Sequence, residues 1–168
     1  MSSLYLLRHA KAAAAAPGMR DFDRPLDAKG IRDARLIGKA LAQKGVSPQT
    51  ILCSSSVRTR QTLQEIAPFL PFAGSTQFSD ALYSADAQGY LQEIKSFASS
   101  SSLLVIGHNP STEELASRLV STKDPDAARL LLGGFPTGAM AHFKADGSFA
   151  HLKPHSCALA EFLRPKDL

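Results

Sequence analysis

The alternation of short apolar runs with helix-patterned stretches constrains the fold of this chain more than any other feature. Leu4–Leu7, Thr50–Cys53 and Leu103–Ile106 are near-continuous apolar runs, the pattern of strands buried on both faces of a parallel sheet. Between them lie helical signals. Ala28–Ala42 has Asp27 as N-cap, an apolar stripe of Ile31, Ala34, Ile37 and Leu41, and Gly45 placed to end it. Val57–Ala67 is stopped by Pro68, and Gln88–Phe97 carries Tyr90, Leu91, Ile94 and Phe97 on neighbouring faces. Ser111–Glu114 fits a capping box that opens a helix to about Val120, and Leu130–Leu132 extends helical structure after a turn at Pro125. Thr76–Ser79 reads as a further short strand. Ala139–Phe143 and Phe149–Lys153 flank Asp146-Gly147, a hairpin signal.

Repeated strand–helix units with short connections predict an α/β three-layer sandwich: a mainly parallel sheet, helices on both faces, and an antiparallel C-terminal edge hairpin. A length of 168 residues suits a single domain spanning 1–168. The 19 basic and 15 acidic residues give +4, with no two basic residues adjacent, so nucleic acid is not an expected partner. Cys53 and Cys157 lie far apart and form no CxxC pair or zinc-spaced cluster, which predicts two buried, reduced thiols and no metal. No apolar run approaches the length of a membrane span. Leu4–Leu7 is too short for a leader and is followed at once by Arg8, so a cytoplasmic protein is expected.

In parallel α/β sheets ligands bind beyond the carboxyl ends of the strands. Arg8-His9 follows the first strand. Ser54-Ser55-Ser56 follows the second, with Arg58 in the next helix's first turn, and Gly107-His108-Asn109-Pro110 follows Leu103–Ile106. Two arginines and two histidines thus collect on one sheet edge. Guanidinium forks match phosphate oxygens. One imidazole can attack phosphorus, and a second can donate to the equatorial oxygens where transition-state charge spreads. A cation in a helix's first turn opposes the helix dipole, so a bound anion explains the place of Arg58. A lone arginine or histidine at a strand end is more often structural; four coming off three strands on one edge are not explained that way.

These residues carry a resemblance. Leu6-Leu7-Arg8-His9-Ala10 resembles the RHG/RHA signature of the histidine phosphatase superfamily, also called phosphoglycerate mutase-like. Ser54–Thr62 (SSSVRTRQT) is similar to its second motif, and Val105–Pro110 (VIGHNP) to its second-histidine motif. Asp21–Leu26 (DFDRPL), with Gly30 beyond, resembles a segment of the small SixA-type phosphohistidine phosphatases, as does Phe135–Gly138 before the last strands. The resemblance runs from Leu4 to about Phe143. It implies His9 as nucleophile, Arg8 and Arg58 as phosphoryl ligands, His108 as transition-state stabiliser, and Arg24 as an auxiliary phosphate contact. It also implies no metal and no organic cofactor.

Larger members take a leaving-group acid from the region after the third strand. Here that region reads Ser79–Asp86, where Asp80 and Asp86 fit a turn residue and an N-cap. The expected activity is hydrolysis of phosphohistidine on a protein or peptide, such as a histidine-phosphorylated signalling protein, through a phospho-His9 intermediate. The rivals are a small-molecule phosphomonoesterase with the same core chemistry and a phosphate-recognition module without turnover. Only 24 residues, Ser79–Ser102, separate the third strand from the next, which leaves too little chain for a helical cap. His142, His151 and His155 are expected in structural roles, and Asp126 and Glu161 as solvated charges.

Overall fold

The computed structural model describes residues 1–71 and 74–168. Among them six strands form one sheet. They are β1 (Ser2–Arg8), β2 (Thr50–Ser54), β3 (Ser75–Ser79), β4 (Ser102–Gly107), β5 (Met140–Ala145) and β6 (Cys157–Leu163), in the order β3-β2-β4-β1-β5-β6. The first four run parallel, and β5 and β6 are antiparallel.

Alternation along the central strands feeds two cores. Leu4, Leu6, Leu52, Leu103 and Val105 face one side. There they pack with α4 (Ala87–Lys95), α5 (Ser111–Leu119), α6 (Pro125–Leu132) and Leu82 of the short α3 (Ala81–Ser84). Tyr5, Leu7, Ile51, Cys53, Leu104 and Ile106 face the other side, under α1 (Ala28–Gln43) and α2 (Val57–Ile66). This two-sided covering is why the strands read as unbroken apolar runs. Asp27 caps α1 as expected, its Oδ1 accepting from the Gly30 N–H at 2.7 Å. Both cysteines are free and buried. No helix among the described residues is long and apolar enough to cross a membrane.

Two local expectations are corrected. Asp146-Gly147 does make a turn, with Gly147 at φ +77°, but no strand follows it directly. Phe149–His151 is a 3₁₀ turn whose Phe149 is fully buried, and the partner of β5 comes later, as β6. Burial of Phe149 pulls the chain inward where a tight hairpin would have sent it back along the sheet. The capping box at Ser111–Glu114 does not form. Pro110 holds the N-cap position, and the Ser111 hydroxyl donates instead to the Ala85 carbonyl at 2.6 Å. That bond ties α5 to the segment after β3.

Candidate active site

The parallel ladder aligns the strand ends. Arg8 pairs with Gly107 and Ser54 with Ser79, while Cys53 stands beside Ile106. Side chains leaving β1, β2 and β4 therefore meet at one level, beside the start of α2. His9, Arg58 and His108 are all buried there, and the two imidazole rings lie 5.3 Å apart.

The tautomer of His9 follows from its bonds. Nδ1 lies 2.7 Å from the Ala10 carbonyl oxygen, which can only accept, so Nδ1 carries the proton. Nε2 is left with its lone pair, and the Arg58 Nε–H approaches it at 3.3 Å. The Ala10 amide is itself held by Thr62 Oγ1 at 3.0 Å, and Thr62 donates to the Arg58 carbonyl at 2.7 Å, so the second motif braces the first. His108 is fixed through its backbone amide, which donates to Tyr90 Oη at 2.9 Å, and through Nε2, which lies 2.8 Å from Ser54 Oγ. Gly107 allows this: a β-carbon there would stand 2.5 Å from the Tyr90 oxygen.

Burial drives both histidines toward neutrality. Desolvation is the larger cause for His9, reinforced by Arg58, Arg8 and Arg24, and its pKa falls to about 4. Desolvation, then His9 and Arg58, lower His108 to about 3. A neutral His9 with a lone pair on Nε2 can act as a nucleophile at physiological pH. The expected result of an NMR titration of the ring protons is that both histidines remain neutral at pH 6; a midpoint near 6.5 for either would contradict this environment.

Three guanidiniums surround the rings. Arg8 donates through one terminal nitrogen to the Phe135 carbonyl at 2.9 Å, an oxygen shared with the Asn109 side-chain amide at 3.1 Å. Arg58 reaches both the Asp21 carbonyl (2.8 Å) and its carboxylate (3.1 Å). Arg24 donates Nε to the Ala13 carbonyl and a terminal nitrogen to the other Asp21 carboxylate oxygen, both at 2.9 Å. With Asp21 counted against Arg8, Arg24 and Arg58, the group carries a formal +2. Buried side-chain polar atoms without a partner are rare in folded proteins. Among the described residues Arg8 Nε and His108 Nδ1 are both in that state, and both belong to this group. These two unpartnered nitrogens, beside a His9 Nε2 that carries a lone pair and under net positive charge, make a site that can take an oxyanion in contact with a nucleophile.

The sequence of the first half decides the family. The profile of the Histidine phosphatase superfamily (branch 1) matches residues 4–90, a stretch that carries Arg8, His9, Arg24 and Arg58. The chain belongs to the histidine phosphatase superfamily.

Other members agree over nearly the whole length. An uncharacterised protein of Mycobacterium tuberculosis is 35% identical over 163 residues, 95% of this chain and 100% of that one. A crystal structure from Agrobacterium tumefaciens, assigned there as a phosphohistidine phosphatase SixA, superposes with a TM-score of 0.83. It is 33% identical and covers 98% of each chain. The phosphohistidine phosphatase SixA of Escherichia coli K12 is 29% identical over 149 residues, 86% of both chains. The sheet is the phosphoglycerate mutase-like one of these neighbours, and membership makes the protein a phosphatase.

Superfamily motifs pointed to Arg8, His9, Arg24, Arg58 and His108, and the structure brings all five together. Asp86 caps α4, accepting from the Gly89 N–H at 2.8 Å, and Asp80 precedes α3 without a side-chain cap bond. Neither joins the cluster. Two further residues do, and sequence reasoning did not single them out. Asp21 binds two of the arginines. Tyr83, from the same Ser79–Asp86 segment, donates its hydroxyl to Asp21 at 2.7 Å and sets its ring edge-on to His108. Asp21 opens the DFDRPL segment noted for its resemblance, in which the motif marks Arg24 alone as a site residue. The remaining histidines lie elsewhere: His142 stacks on Tyr5, His155 lies against the Val120 carbonyl, and His151 is exposed.

Proposed function

We propose that this phosphatase hydrolyses phosphohistidine displayed on a protein or peptide. The observation that carries the reading is the pair of neutral, buried imidazoles: one with its proton tied to a carbonyl and the lone pair of its other nitrogen met only by the Arg58 Nε–H at 3.3 Å, the second with an unpartnered buried nitrogen. In the first half-reaction His9 Nε2 attacks phosphorus while Arg8, Arg24 and Arg58 take the phosphoryl oxygens and His108 donates to the oxygens that gain charge. His9 keeps its Nδ1 proton on the Ala10 carbonyl throughout. When water then displaces it from the phosphoenzyme, it leaves as a neutral imidazole and needs no acid.

Three observations favour phosphohistidine over alkyl phosphates. The acids of the segment after β3, Asp80 and Asp86, stand outside the cluster, and the Tyr83 hydroxyl from that segment is committed to Asp21, so the segment places no carboxylic acid to protonate the alkoxide of an ester. A groove of about 690 Å³ is lined by Asn109, Pro110, Glu113, Glu114, Ser117 and Arg118, and Asn109 shares the Phe135 carbonyl with Arg8, so a surface cleft that could take up part of a polypeptide lies one residue from the cluster. We read residues 1–168 as one domain without a helical cap, α3 and α4 filling the chain between β3 and β4. An uncapped site admits a folded substrate, whereas a capped one encloses a metabolite. The Escherichia coli relative is by its name a phosphohistidine phosphatase. Two buried free thiols suit a reducing, cytoplasmic setting.

The test is a comparison of kcat/KM on a phosphohistidine peptide with that on sugar phosphates and phosphoglycerate. The peptide is expected to be preferred, with negligible mutase activity. An ester preferred by ~100-fold, about 2.7 kcal/mol of transition-state binding, would overturn the assignment and leave the His9 chemistry standing. A second expectation concerns metals. The described residues contain no group of three His, Cys, Asp or Glu side chains placed to hold an ion, and the guanidiniums are there to neutralise the phosphoryl charge. Activity should persist in EDTA; loss on chelation, restored by Mg²⁺ or Zn²⁺, would contradict this reading of the pocket.

A further inference from the structure

Asp21 stands where an anion is costly, beside the arginines that must bind a phosphate dianion. It opens the 3₁₀ turn Asp21–Asp23, and its carboxylate is gripped from three elements: by Arg24 of its own loop, by Arg58 of α2 and by Tyr83 of α3. Even so, half of the side chain, 53%, remains open to solvent. The carboxylate therefore sits at the mouth of the pocket, fixed but accessible. The charged or titratable groups around it are Arg24, Arg58, Tyr83 and, deeper, His9 and His108, both held neutral. The Tyr83 hydroxyl first, then Arg24 and Arg58, hold Asp21 far below the usual carboxylate range. It carries no proton to give near neutral pH, so it is not a general acid for an ester leaving group.

Phosphohistidine poses a different demand. Its leaving group is a ring with a second nitrogen. If that distal nitrogen carries a proton, P–N cleavage expels a neutral imidazole; if it does not, cleavage expels an imidazolate, a far poorer leaving group. On the enzyme's side of the same transfer, the Ala10 carbonyl already keeps the distal nitrogen of His9 protonated. We propose that the Asp21 carboxylate does the corresponding work for the substrate: it accepts a hydrogen bond from the distal ring nitrogen of the phosphohistidine and holds that nitrogen protonated while the P–N bond breaks. This rests on the phosphohistidine reading above.

The step balances without a proton donor. The substrate enters with its distal nitrogen protonated and its phosphoryl group dianionic. The His9 Nε2 lone pair forms the new P–N bond, and the electron pair of the old one returns to the substrate ring. That ring departs neutral, still carrying its distal N–H, while His9 becomes the phosphorylated imidazolium. An alcohol or sugar has no distal nitrogen and gains nothing from Asp21, so the residue sets leaving-group specificity.

The experiment follows kcat against pH for Asp21→Asn and wild-type protein, with a phosphohistidine peptide and with p-nitrophenyl phosphate, whose leaving group needs no proton. The alkaline limb of kcat reports ionisation within the complex. For the peptide that limb is expected to move to lower pH by about one unit in Asp21→Asn, since an amide does not stabilise a cation as a carboxylate does. At pH 8 the variant should lose at least ~10-fold more activity on the peptide than on the nitrophenyl ester. Equal losses on both substrates, or an unmoved limb, would show that Asp21 merely positions Arg58 and would overturn the proposal. Asp21→Glu keeps the charge and should keep the limb near its wild-type position even where its rate falls; a limb displaced as far as in Asp21→Asn would also overturn it. A wild-type protein without activity on the peptide would sink the functional reading itself, a result distinct from an active wild type whose variant limb stays in place.

Discussion

Replacing His9 with alanine is expected to remove essentially all phosphatase activity, by roughly 10⁴-fold or more, because the step that splits hydrolysis into two displacements loses its nucleophile. The geometry leaves no understudy. His108 has Nε2 engaged with Ser54, which leaves Nδ1 for the phosphoryl oxygens and no second lone pair for attack; Cys53 and Cys157 are buried in the cores, and burial pushes the Cys53 thiol up to about 12. In the wild type, acid-labile phosphate should be trapped on His9 by rapid quench during turnover and located by peptide mapping. A His9→Ala protein that still turns over, or phosphate trapped on another residue, would overturn the double-displacement mechanism.

Arg58→Ala should lower kcat/KM by at least ~10²-fold, about 2.7 kcal/mol, the scale of losing one preorganised charge contact in a water-poor site. Arg58 touches more of the site than Arg8 or Arg24. Its Nε meets His9, its terminal nitrogens hold Asp21, and its carbonyl anchors Thr62. The loss should be visible apart from kinetics. Arg58 is the first of the cations that depress His9, so its removal should raise the His9 titration midpoint relative to wild type. Arg24→Ala should cost less, because its Nε is committed to the Ala13 carbonyl and its charge is shared with Asp21. Crystals grown in sulfate or phosphate should show the anion on Arg8, Arg58, His9 and His108. An anion found elsewhere, with Asp21 the lasting partner of Arg58, would point to a site that recognises no phosphate.

The candidate site was legible because it is local to strand ends. A buried parallel strand reads as an apolar run, so the first polar residues after it are marked automatically, and His9, Arg58 and His108 all fall within five residues of such a run. Asp21 and Tyr83 were not legible, because their partnership spans 62 residues and joins two surface turns with no periodicity of their own. The hairpin expectation failed for a related reason. Asp146-Gly147 specifies a turn but not what the turn leads into, and β6, an edge strand with only its two end residues buried, lacks the alternation that would announce it. At Ser111–Glu114 the pattern was present but a tertiary bond, Ser111 to Ala85, took the hydroxyl that the local motif would have used.

The position of β4 has a consequence for how the protein comes into being on the ribosome. β1 and β2 are not neighbours; the six residues of β4 lie between them, bonded to both. By the time residue 101 has been synthesised, the chain already contains Arg8, His9, Arg24 and Arg58, yet β1 and β2 have nothing to hold them at the right separation. Their inner edges stay unpaired, the kind of exposed strand edge that invites pairing with other chains. Contacts across about a hundred residues of sequence, such as Leu4 with Leu103, must close before the arginines face one another. Catalytic competence should thus arrive in one late event, the seating of a single strand. A chain cut before residue 102 would be an aggregation-prone fragment with no part of the activity.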